Sequence, residues 1–348
     1  MKKYLLIDTY NLFFRASYSI HENDMELARG MLLHLMFNMI NKTCKKFNPD
    51  CLIACRDGNK SWRRDEYPMY KMNRVEKLQE RTPSEIEKDE ALKDVFENEF
   101  LPFINDKTNV PLLSYPMAEA DDLIATFIKH HPNDICIILS TDNDFVQLLN
   151  DNVFIYNSME DRIISNKGII DSETIKPLLF ELKNGIVSVP KEQPKEITQM
   201  TPYPDWVEYA LFTKCIRGDK SDNIFSAYPG VREKSSKTKV GLRDAFLDRN
   251  SRGYNWTTFM NTSWDDPFGN KHIVKEEYEK NKKIIDLSNI RDDIKQQLDE
   301  YLNQELNKPL MKYIGVNLEK FFMKWNLLNL KRDISSFTRY FQQGYNEQ

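Results

Sequence analysis

Residues 118–144 read AEADDLIATFIKHHPNDICIILSTDND and carry two acidic clusters. Leu123, Ile124 and Phe127 recur with the spacing of a helix, and its first turn holds the first cluster. The short β-branched run Ile135–Leu139 is typical of a strand buried on both faces of a parallel sheet, and the second cluster follows it. Five carboxylates belong to the two clusters: Glu119, Asp121, Asp122, Asp142 and Asp144.

This stretch holds more negative charge than a helix cap or a turn needs. A helix N-terminus favours one or two carboxylates, but Asp121 beside Asp122, with Glu119 just before them, brings like charges together. Ligand sites of open α/β sheets lie outside the carboxyl ends of the strands, so acids in those positions face one crevice. Either cluster alone fits a solvated cap or loop equally well. Together they favour a metal site.

The same pattern occurs near the N-terminus. Tyr4–Asp8 and Cys51–Cys55 have the composition of buried strands, and Met25–Phe47 between them has helical periodicity. Asp8 ends the first strand and Asp57 follows the second. Each acid alone could be a cap or a turn residue. A strand, a helix and a strand, with a carboxylate after each strand, predict a βαβ unit of a parallel sheet.

Composition limits the class of protein. The 348 residues, 41% of them hydrophobic, are enough for one large domain or two ordinary ones. No apolar run is long enough to cross a bilayer and no signal peptide is evident, so we expect a cytoplasmic protein that does not bind membranes. The five cysteines lack CxxC spacing and are expected to be reduced core residues. A net charge of −4 argues only weakly against nucleic acid, because bound cations would neutralise several acids.

Residues 59–82 alternate cations with aromatic rings. Cations suit phosphates and rings suit unpaired bases, so the segment predicts contact with single-stranded nucleic acid, although a protein interface has a similar composition. The residues concerned are Lys60, Trp62, Arg63, Arg64, Tyr67, Tyr70, Lys71 and Arg74.

The second half of the chain adds another acid pair and a basic loop. Asp219 and Asp222 follow a helical pattern over Trp206–Ile216. Residues 187–204 are rich in proline and are expected to form a connection or an insertion. The loop that starts at Gly230 suits contact with phosphates, although a solvated lysine-rich loop has the same composition. Its cations include Arg232, Lys234, Lys237 and Lys239.

The acids together indicate the chemistry. Oxygen ligands without histidine select hard cations, so we expect Mg²⁺ or Mn²⁺, and the number of acids implies two ions. Two such ions can activate water and stabilise the leaving oxygen of a phosphodiester. The nine candidate ligands are Asp8, Asp57, Glu119, Asp121, Asp122, Asp142, Asp144, Asp219 and Asp222.

Five blocks of the sequence carry a resemblance to a known family. They are Asp8-Thr-Tyr-Asn-Leu-Phe-Phe-Arg, Trp62-Arg-Arg-Asp-Glu-Tyr-Pro-Met-Tyr-Lys-Met-Asn-Arg, Glu119-Ala-Asp-Asp, Ser140-Thr-Asp-Asn-Asp and Gly218-Asp-Lys-Ser-Asp-Asn. In this order, the blocks resemble those of the 5′-nuclease (flap endonuclease) family, and within it the phage 5′→3′ exonucleases of the bacteriophage T4 ribonuclease H type. The resemblance covers residues 1 to about 245 and is specific when the blocks are taken together.

The resemblance implies an architecture. We expect an α/β fold with a parallel-sheet, PIN-like nuclease core over residues 1–186 and a helical arch at about 59–82. A connection over 187–204 would lead to a mainly helical domain, 205–348, with a helix-turn-helix duplex-binding element at about 217–253. Two positions depart from the family: the loop at Gly230 lacks the second glycine of a monovalent-cation site, which puts that site in doubt, and Asn143 stands where glycine is usual.

The resemblance also assigns roles. Lys71 and Arg74 match arch cations that reach the scissile phosphate, and Tyr70 is a candidate stacking platform. Asp122 matches a further acid, expected to act through water. The first metal site would comprise Asp8, Asp57, Glu119, Asp121 and Asp142, and the second Asp144, Asp219 and Asp222.

The function expected from the resemblance is metal-dependent hydrolysis near free 5′ ends of duplex DNA, flaps or RNA·DNA hybrids, as in removal of RNA primers. We expect a monomer, with a single-strand-binding protein or a sliding clamp as candidate partners. Two other classes compete with this one. An aspartyl-phosphate phosphatase would need an aspartate at the position of Tyr10, and a junction-binding protein without catalysis should have lost metal acids, which this chain retains.

Overall fold

The computed structural model describes residues 1–22, 24–74, 80–193 and 205–345. The strands of its main sheet are β1 (Lys3–Asp8), β2 (Cys51–Arg56), β3 (Leu112–Ser114), β4 (Ile135–Leu139), β5 (Val153–Asn157), β6 (Arg162–Ser165), β7 (Gly168–Asp171) and β8 (Pro177–Leu178). They lie in the order β3-β2-β1-β4-β5-β6-β7-β8. The first five strands in this order are parallel, and the last three are added in antiparallel orientation.

The direction of the strand order reverses at β1. Leu6 lies opposite Ile53 of β2 on one side and opposite Ile138 of β4 on the other. The chain therefore leaves β1 towards one edge of the sheet and later returns to its other side. Such a switch point opens a crevice at the carboxyl ends of the strands. Asp8 at the end of β1 lies at this crevice.

Helices lie on both faces of the sheet and around a smaller apolar cluster. They are α1 (Thr9–Tyr18), α2 (Met25–Phe47), α3 (Arg63–Glu66), α4 (Pro83–Val95), α5 (Leu101–Lys107), α6 (Ala120–His130), α7 (Trp206–Arg217), α8 (Leu242–Leu247), α9 (Tyr254–Met260), α10 (Val274–Ile285), α11 (Asp292–Leu306), α12 (Ile314–Lys324), α13 (Leu328–Lys331) and α14 (Ile334–Phe341). A π-helical turn, Phe96–Phe100, joins α4 to α5. Among the described residues, none of these helices has the length and apolar character that a bilayer crossing needs.

Alternating side chains of β1 divide the core into two layers. Leu5 and Ile7 pack with α1, α2, α5 and the late helices α12 to α14. Tyr4 and Leu6 pack on the opposite face with α6 and α11. Residues of one strand point alternately to the two faces, so a run without polar residues is required when both faces are covered. The predicted parallel-sheet α/β fold is confirmed.

Two short hairpins and a smaller core complete the fold. The hairpins are β9 (Glu181–Lys183) with β10 (Ile186–Ser188), and β11 (Ser263–Asp265) with β12 (Lys271–Ile273). Helices α7 to α10 surround a separate apolar cluster that includes Phe212 and Phe246. The predicted domain division at 187–204 stays a prediction, and residues 194–204 lie outside the described part of the chain.

The sequence predicted several of these elements correctly. The helix over Met25–Phe47 and the strand over Ile135–Leu139 have the predicted bounds. Helix α4 begins at Pro83 because Thr82 and Glu85 form a capping box around its first turn. The five cysteines are buried and free, as predicted. Of the predicted arch, the structure describes α3 and the turns up to Arg74, whereas residues 75–79 lie outside the description.

Candidate metal centre and nucleic-acid cleft

Parallel strands bring the predicted acids to one edge of the sheet. Asp8 ends β1, while Asp57 follows β2 and Asp142 follows β4. Asp121 comes from the first turn of α6, immediately after the loop that follows β3. A cleft of about 770 Å³ opens here, and its lining includes Asp121, Asp142 and Asp144.

Burial and mutual repulsion act on several acids of the first group. Burial, together with the nearby charge of Asp57, raises the pKa of Asp8 to about 7. Burial and the charges of Asp142 and Asp8 raise the pKa of Asp121 well above its usual value. Burial and the charge of Glu119 raise the pKa of Asp57 as well. Carboxylates whose charged forms repel one another form a site that favours a bound cation.

Hydrogen bonds from uncharged donors hold two acids of this group in place. The backbone N–H of Asn11 and the hydroxyl of Ser140 donate to Asp8, at 3.1 and 3.2 Å. The backbone N–H of Ala120 donates to Asp57 at 2.8 Å, so the N-terminus of α6 points at that carboxylate. These bonds orient the side chains of Asp8 and Asp57 without neutralising their charge.

The second group of acids joins the turn after β4 to the loop after α7. Oxygen atoms of Asp144, Asp219 and Asp222 lie within 4.8 Å of one another, which is compatible with one shared cation. Lys214, near the end of α7, bonds to Asp144 and lies 2.7 Å from Asp219. Despite its burial, Lys214 has its pKa raised by Asp144 and Asp219, so it stays charged.

Glu119 is the one predicted first-site acid that is surrounded by cations. Lys71 lies 2.6 Å from one of its oxygens, and Arg63 lies 3.2 Å from the other. Burial alone would raise the pKa of Glu119, but Lys71 and Arg63 outweigh it and lower the pKa to about 2. Glu119 is therefore charged and already paired in this structure.

The two predicted arch cations both reach the acids. Lys71 has a left-handed backbone with φ of 59°, and its N–H donates to the carbonyl oxygen of Asp222 at 2.9 Å. The guanidinium of Arg74 lies 2.8 Å from the Asp222 carboxylate. Both side chains also line the cleft. The described start of the arch is thus bonded to both groups of acids.

Three of the predicted roles need correction. Both oxygens of Asp122 accept bonds of 2.8 Å from Arg63, so this fully buried acid neutralises an arginine and is not available as a metal ligand. Arg63 itself is 2% exposed and cannot contact nucleic acid. Tyr70 is 3% exposed, and its hydroxyl donates to Glu119 and Asp222, so it offers no face for base stacking. All three residues form hydrogen bonds with Glu119 and hold it in position.

The remaining predicted nucleic-acid contacts lie on the surface. Lys60 and Arg64 are exposed beside α3. Arg232, Lys234, Lys237 and Lys239 are exposed on the loop between α7 and α8, which lies within the duplex-binding element predicted at about 217–253. The base of this loop is fixed because Gly241 N–H donates to Ser235 Oγ at 2.8 Å. Contact of these six cations with nucleic acid stays a prediction.

Sequence reasoning missed several residues of the cleft. Lys214 is one, because a lysine in the last turn of a helix is ordinary at the sequence level. Arg15 is another: it lines the cleft, and its Nε donates to Thr141 Oγ1 at 2.7 Å. Its position one helical turn after Asn11, which also lines the cleft, was the available signal. Asn184 and Ile186 of the β9–β10 turn are two more.

Comparison with known proteins agrees with this geometry. Residues 3–176, half of the chain, match the family described as 5′-3′ exonuclease, N-terminal resolvase-like domain. The chain therefore belongs to the 5′-nuclease family, as the sequence blocks predicted.

Curated relatives include larger and similar-sized proteins. DNA polymerase I of Mycobacterium tuberculosis is 26% identical over 238 residues, which cover 67% of this chain and 22% of the polymerase. The chain thus spans about a fifth of the DNA polymerase I sequences that it matches. A 5′-3′ exonuclease of Buchnera aphidicola is 27% identical over 250 residues, 70% of this chain and 66% of that protein. The flap endonuclease of Escherichia phage T5 is 32% identical over 156 residues, 43% of this chain and 49% of that protein.

Solved structures share the fold. The bacteriophage T5 flap endonuclease, in a pseudo-enzyme-product complex with DNA and metal ions, superposes with a TM-score of 0.58 at 20% identity, covering 88% of this chain and 98% of that one. The T5 5′-exonuclease with bound zinc ions gives a TM-score of 0.57 at 19% identity, covering 87% and 99%.

Proposed function

We propose that this protein is a two-metal phosphodiesterase that cleaves nucleic acid near free 5′ ends, as a 5′→3′ exonuclease and flap endonuclease. The observation that carries the proposal is the meeting of two acid groups and the cations Lys71 and Arg74 in one cleft. The names of the relatives, flap endonuclease and 5′-3′ exonuclease, support the same activity.

The donor set fits divalent cations. It offers carboxylate oxygens and no histidine or cysteine, which favours Mg²⁺ or Mn²⁺ over zinc. The first ion would be held by Asp8, Asp57, Asp121 and Asp142, with Glu119 joining through its free lone pairs, and the second by Asp144, Asp219 and Asp222. When bound, the ions would supply an activated water and charge stabilisation at the phosphate.

Side chains of this protein would do the rest. Lys71 and Arg74 line the cleft beside the acids, where their charges can bind the scissile phosphate and stabilise the negative charge that develops during cleavage. The acids that have raised pKa values would lose their protons when metal binds, because metal ligands must be deprotonated. Lys214 already neutralises Asp144 and Asp219, so it reduces the repulsion that remains.

The substrate class follows from the surroundings of the cleft. The exposed cations Arg232, Lys234, Lys237 and Lys239 would hold duplex backbone without reading sequence. The complex of the T5 flap endonuclease contains DNA, which supports DNA as a substrate here. RNA·DNA hybrids belong to the proposal because the expected role in primer removal needs them. A monomeric state and partners such as a sliding clamp or a single-strand-binding protein stay predictions.

Cleavage of labelled substrates tests the proposal. A 5′-labelled flap duplex and a matched RNA·DNA hybrid are incubated with Mg²⁺, with Ca²⁺ and with EDTA. We expect short 5′ products in Mg²⁺ only, and their lengths separate exonuclease from flap cleavage. The Asp142→Asn variant is the matched control, because it removes one metal ligand charge while keeping the side-chain shape.

A catalytically silent junction-binding protein is the second candidate. Exposed cations around the cleft would suit it equally well. Such a protein would bind the flap tightly but release no product in Mg²⁺ or Mn²⁺. The retained acids favour the nuclease, because repelling carboxylates are costly in a protein that does not bind metal.

A further inference from the structure

The hairpin of β9 and β10 stands at the wall of the cleft. Its turn, Asn184-Gly185, has φ values of 57° and 80°, as in the tight turns that join two twisted strands. Leu182 and Val187 lie opposite each other and pack on the core. Lys183 and Ile186, the next pair, lie on the opposite face, which is exposed.

Two contacts fix the hairpin beside the second acid group. Val187 N–H donates to the side-chain oxygen of Asn143 at 3.1 Å, and Asn143 stands directly between Asp142 and Asp144. A Cβ atom on Gly185 would lie 2.9 Å from the carbonyl oxygen of Ala210, so only glycine lets the turn pack this closely on α7. The hairpin is thus bonded through Asn143 to the turn that carries the acids.

The exposed side of the turn faces the cleft. Asn184 and Ile186 line it together with Asp142, Asp144 and Lys214. Ile186 is 52% exposed, so it adds little to the core. The cations in the lining come from other segments: Arg15, Lys71, Arg74, Lys214, Arg217 and Lys220. Phosphates in the cleft therefore have partners elsewhere, whereas this wall offers an apolar surface and an amide.

We propose that the β9–β10 hairpin is a nucleotide-contacting wall of the cleft. Ile186 packs against the sugar or base of the nucleotide next to the metal acids, and the Asn184 amide forms a hydrogen bond with it. The hairpin thereby sets the position of the strand relative to the acids. This inference rests on the proposed function, because its occupant is the nucleic-acid strand that would be cleaved.

Variants that keep the turn test the hairpin. Ile186→Ala removes most of the apolar contact, and Asn184→Gly removes the amide while leaving a residue that accepts the positive φ. Glu181→Gln, at the far end of the hairpin, is the matched control. The measurements are kcat and KM on the flap duplex in Mg²⁺, the lengths of the products, and the dissociation constant in Ca²⁺ by fluorescence anisotropy. Thermal melting checks that each variant folds.

We expect Ile186→Ala and Asn184→Gly to raise both KM and the dissociation constant about three- to tenfold, to leave kcat within about twofold and to broaden the product lengths. Glu181→Gln should behave as the wild type. Folded variants with wild-type dissociation constants and products would overturn the inference. If the wild type binds but does not cleave, the proposed activity fails separately, while the binding measurements still decide whether the hairpin contacts the strand.

Discussion

The ammonium of Lys214 lies 2.7 Å from a carboxylate oxygen of Asp219 and also bonds to Asp144. A side chain of the protein thus supplies positive charge at the group of acids that would share the second ion. The pKa of Asp219 is lowered by this lysine even though burial acts in the opposite direction. Lys214 and a divalent cation would therefore act on the same carboxylates.

Replacing Lys214 tests whether its ammonium and a divalent cation neutralise the same carboxylates. Lys214→Met should destabilise the metal-free protein by about 3–5 kcal/mol, the usual cost of removing one partner of a buried ion pair. Mg²⁺ should then restore more stability to the variant than to the wild type, because more uncompensated charge is available to it. Melting temperature against Mg²⁺ concentration measures this. An equal increase in both proteins would show that Lys214 and the ion do not share the acids.

Asp121→Asn should have the opposite effect on the metal-free protein. The raised pKa of Asp121 shows that its charge is costly in the absence of metal, so the neutral amide should raise the melting temperature without metal. The same change should reduce the stabilisation by Mg²⁺ and abolish cleavage. A variant that melts lower than the wild type without metal would contradict the repulsion inferred here. Asp65→Asn, on the surface of α3, is the control.

The pH dependence of metal binding has a definite sign. The pKa of Asp8 is about 7 in the metal-free fold, above its unfolded value, so protonation of Asp8 stabilises this fold fully below about pH 4 and progressively less between about pH 4 and 7. That contribution is lost as the pH rises through 7. Protons compete with metal over the same range, so the increase in melting temperature caused by Mg²⁺ should grow from pH 5 to pH 7. Calorimetry at several pH values measures it, and an increase that is independent of pH would contradict the argument.

Lys71→Ala should slow cleavage far more than it weakens binding. Lys71 lies 2.6 Å from Glu119 inside the cleft, where its charge can act on the reacting phosphate. We expect kcat to fall by about 10² or more, as for the loss of one charge-stabilising group, and the dissociation constant in Ca²⁺ to change by less than about threefold. Lys60→Ala, outside the cleft, should affect binding alone. A loss confined to affinity in Lys71→Ala would remove its catalytic role.

Arg63 and Arg64 are neighbours in sequence with opposite expected phenotypes. Arg63→Met breaks the buried pair with Asp122 and should lower the free energy of unfolding by about 3–5 kcal/mol. Arg64→Met removes an exposed cation, so stability should stay within about 0.5 kcal/mol while nucleic-acid affinity falls. Urea unfolding and anisotropy measure the two quantities. A stable Arg63→Met protein with weak binding would reinstate Arg63 as a nucleic-acid ligand.

The sheet and most of its acids could be predicted from the sequence because both depend on local patterns. An apolar run such as Ile135–Leu139 specifies a strand, and the parallel arrangement then places Asp8, Asp57 and Asp142 at one edge without further information. Long-range contacts were not accessible in this way. Arg63 and Tyr70 have the composition of a binding surface, and their burial depends on Ile284, whose carbonyl oxygen accepts from Arg63, and on Asp222, distant in sequence. The sequence Asn184-Gly185 indicates a hairpin turn, but nothing in the sequence indicates that the hairpin contacts Asn143.

Packing of α12 to α14 against α2 has a consequence for biosynthesis. Phe37 of α2 contacts Phe322, Phe337 and Phe341 of these last helices. A ribosome makes Phe37 nearly three hundred residues before Phe322, so the apolar face of α2 gains these neighbours only after α12 to α14 have been synthesised. The nascent chain can form the opposite layer, with α6 against β1 and β4, much earlier. Synthesis of these late helices, rather than of the strands that carry the acids, therefore completes this layer of the core.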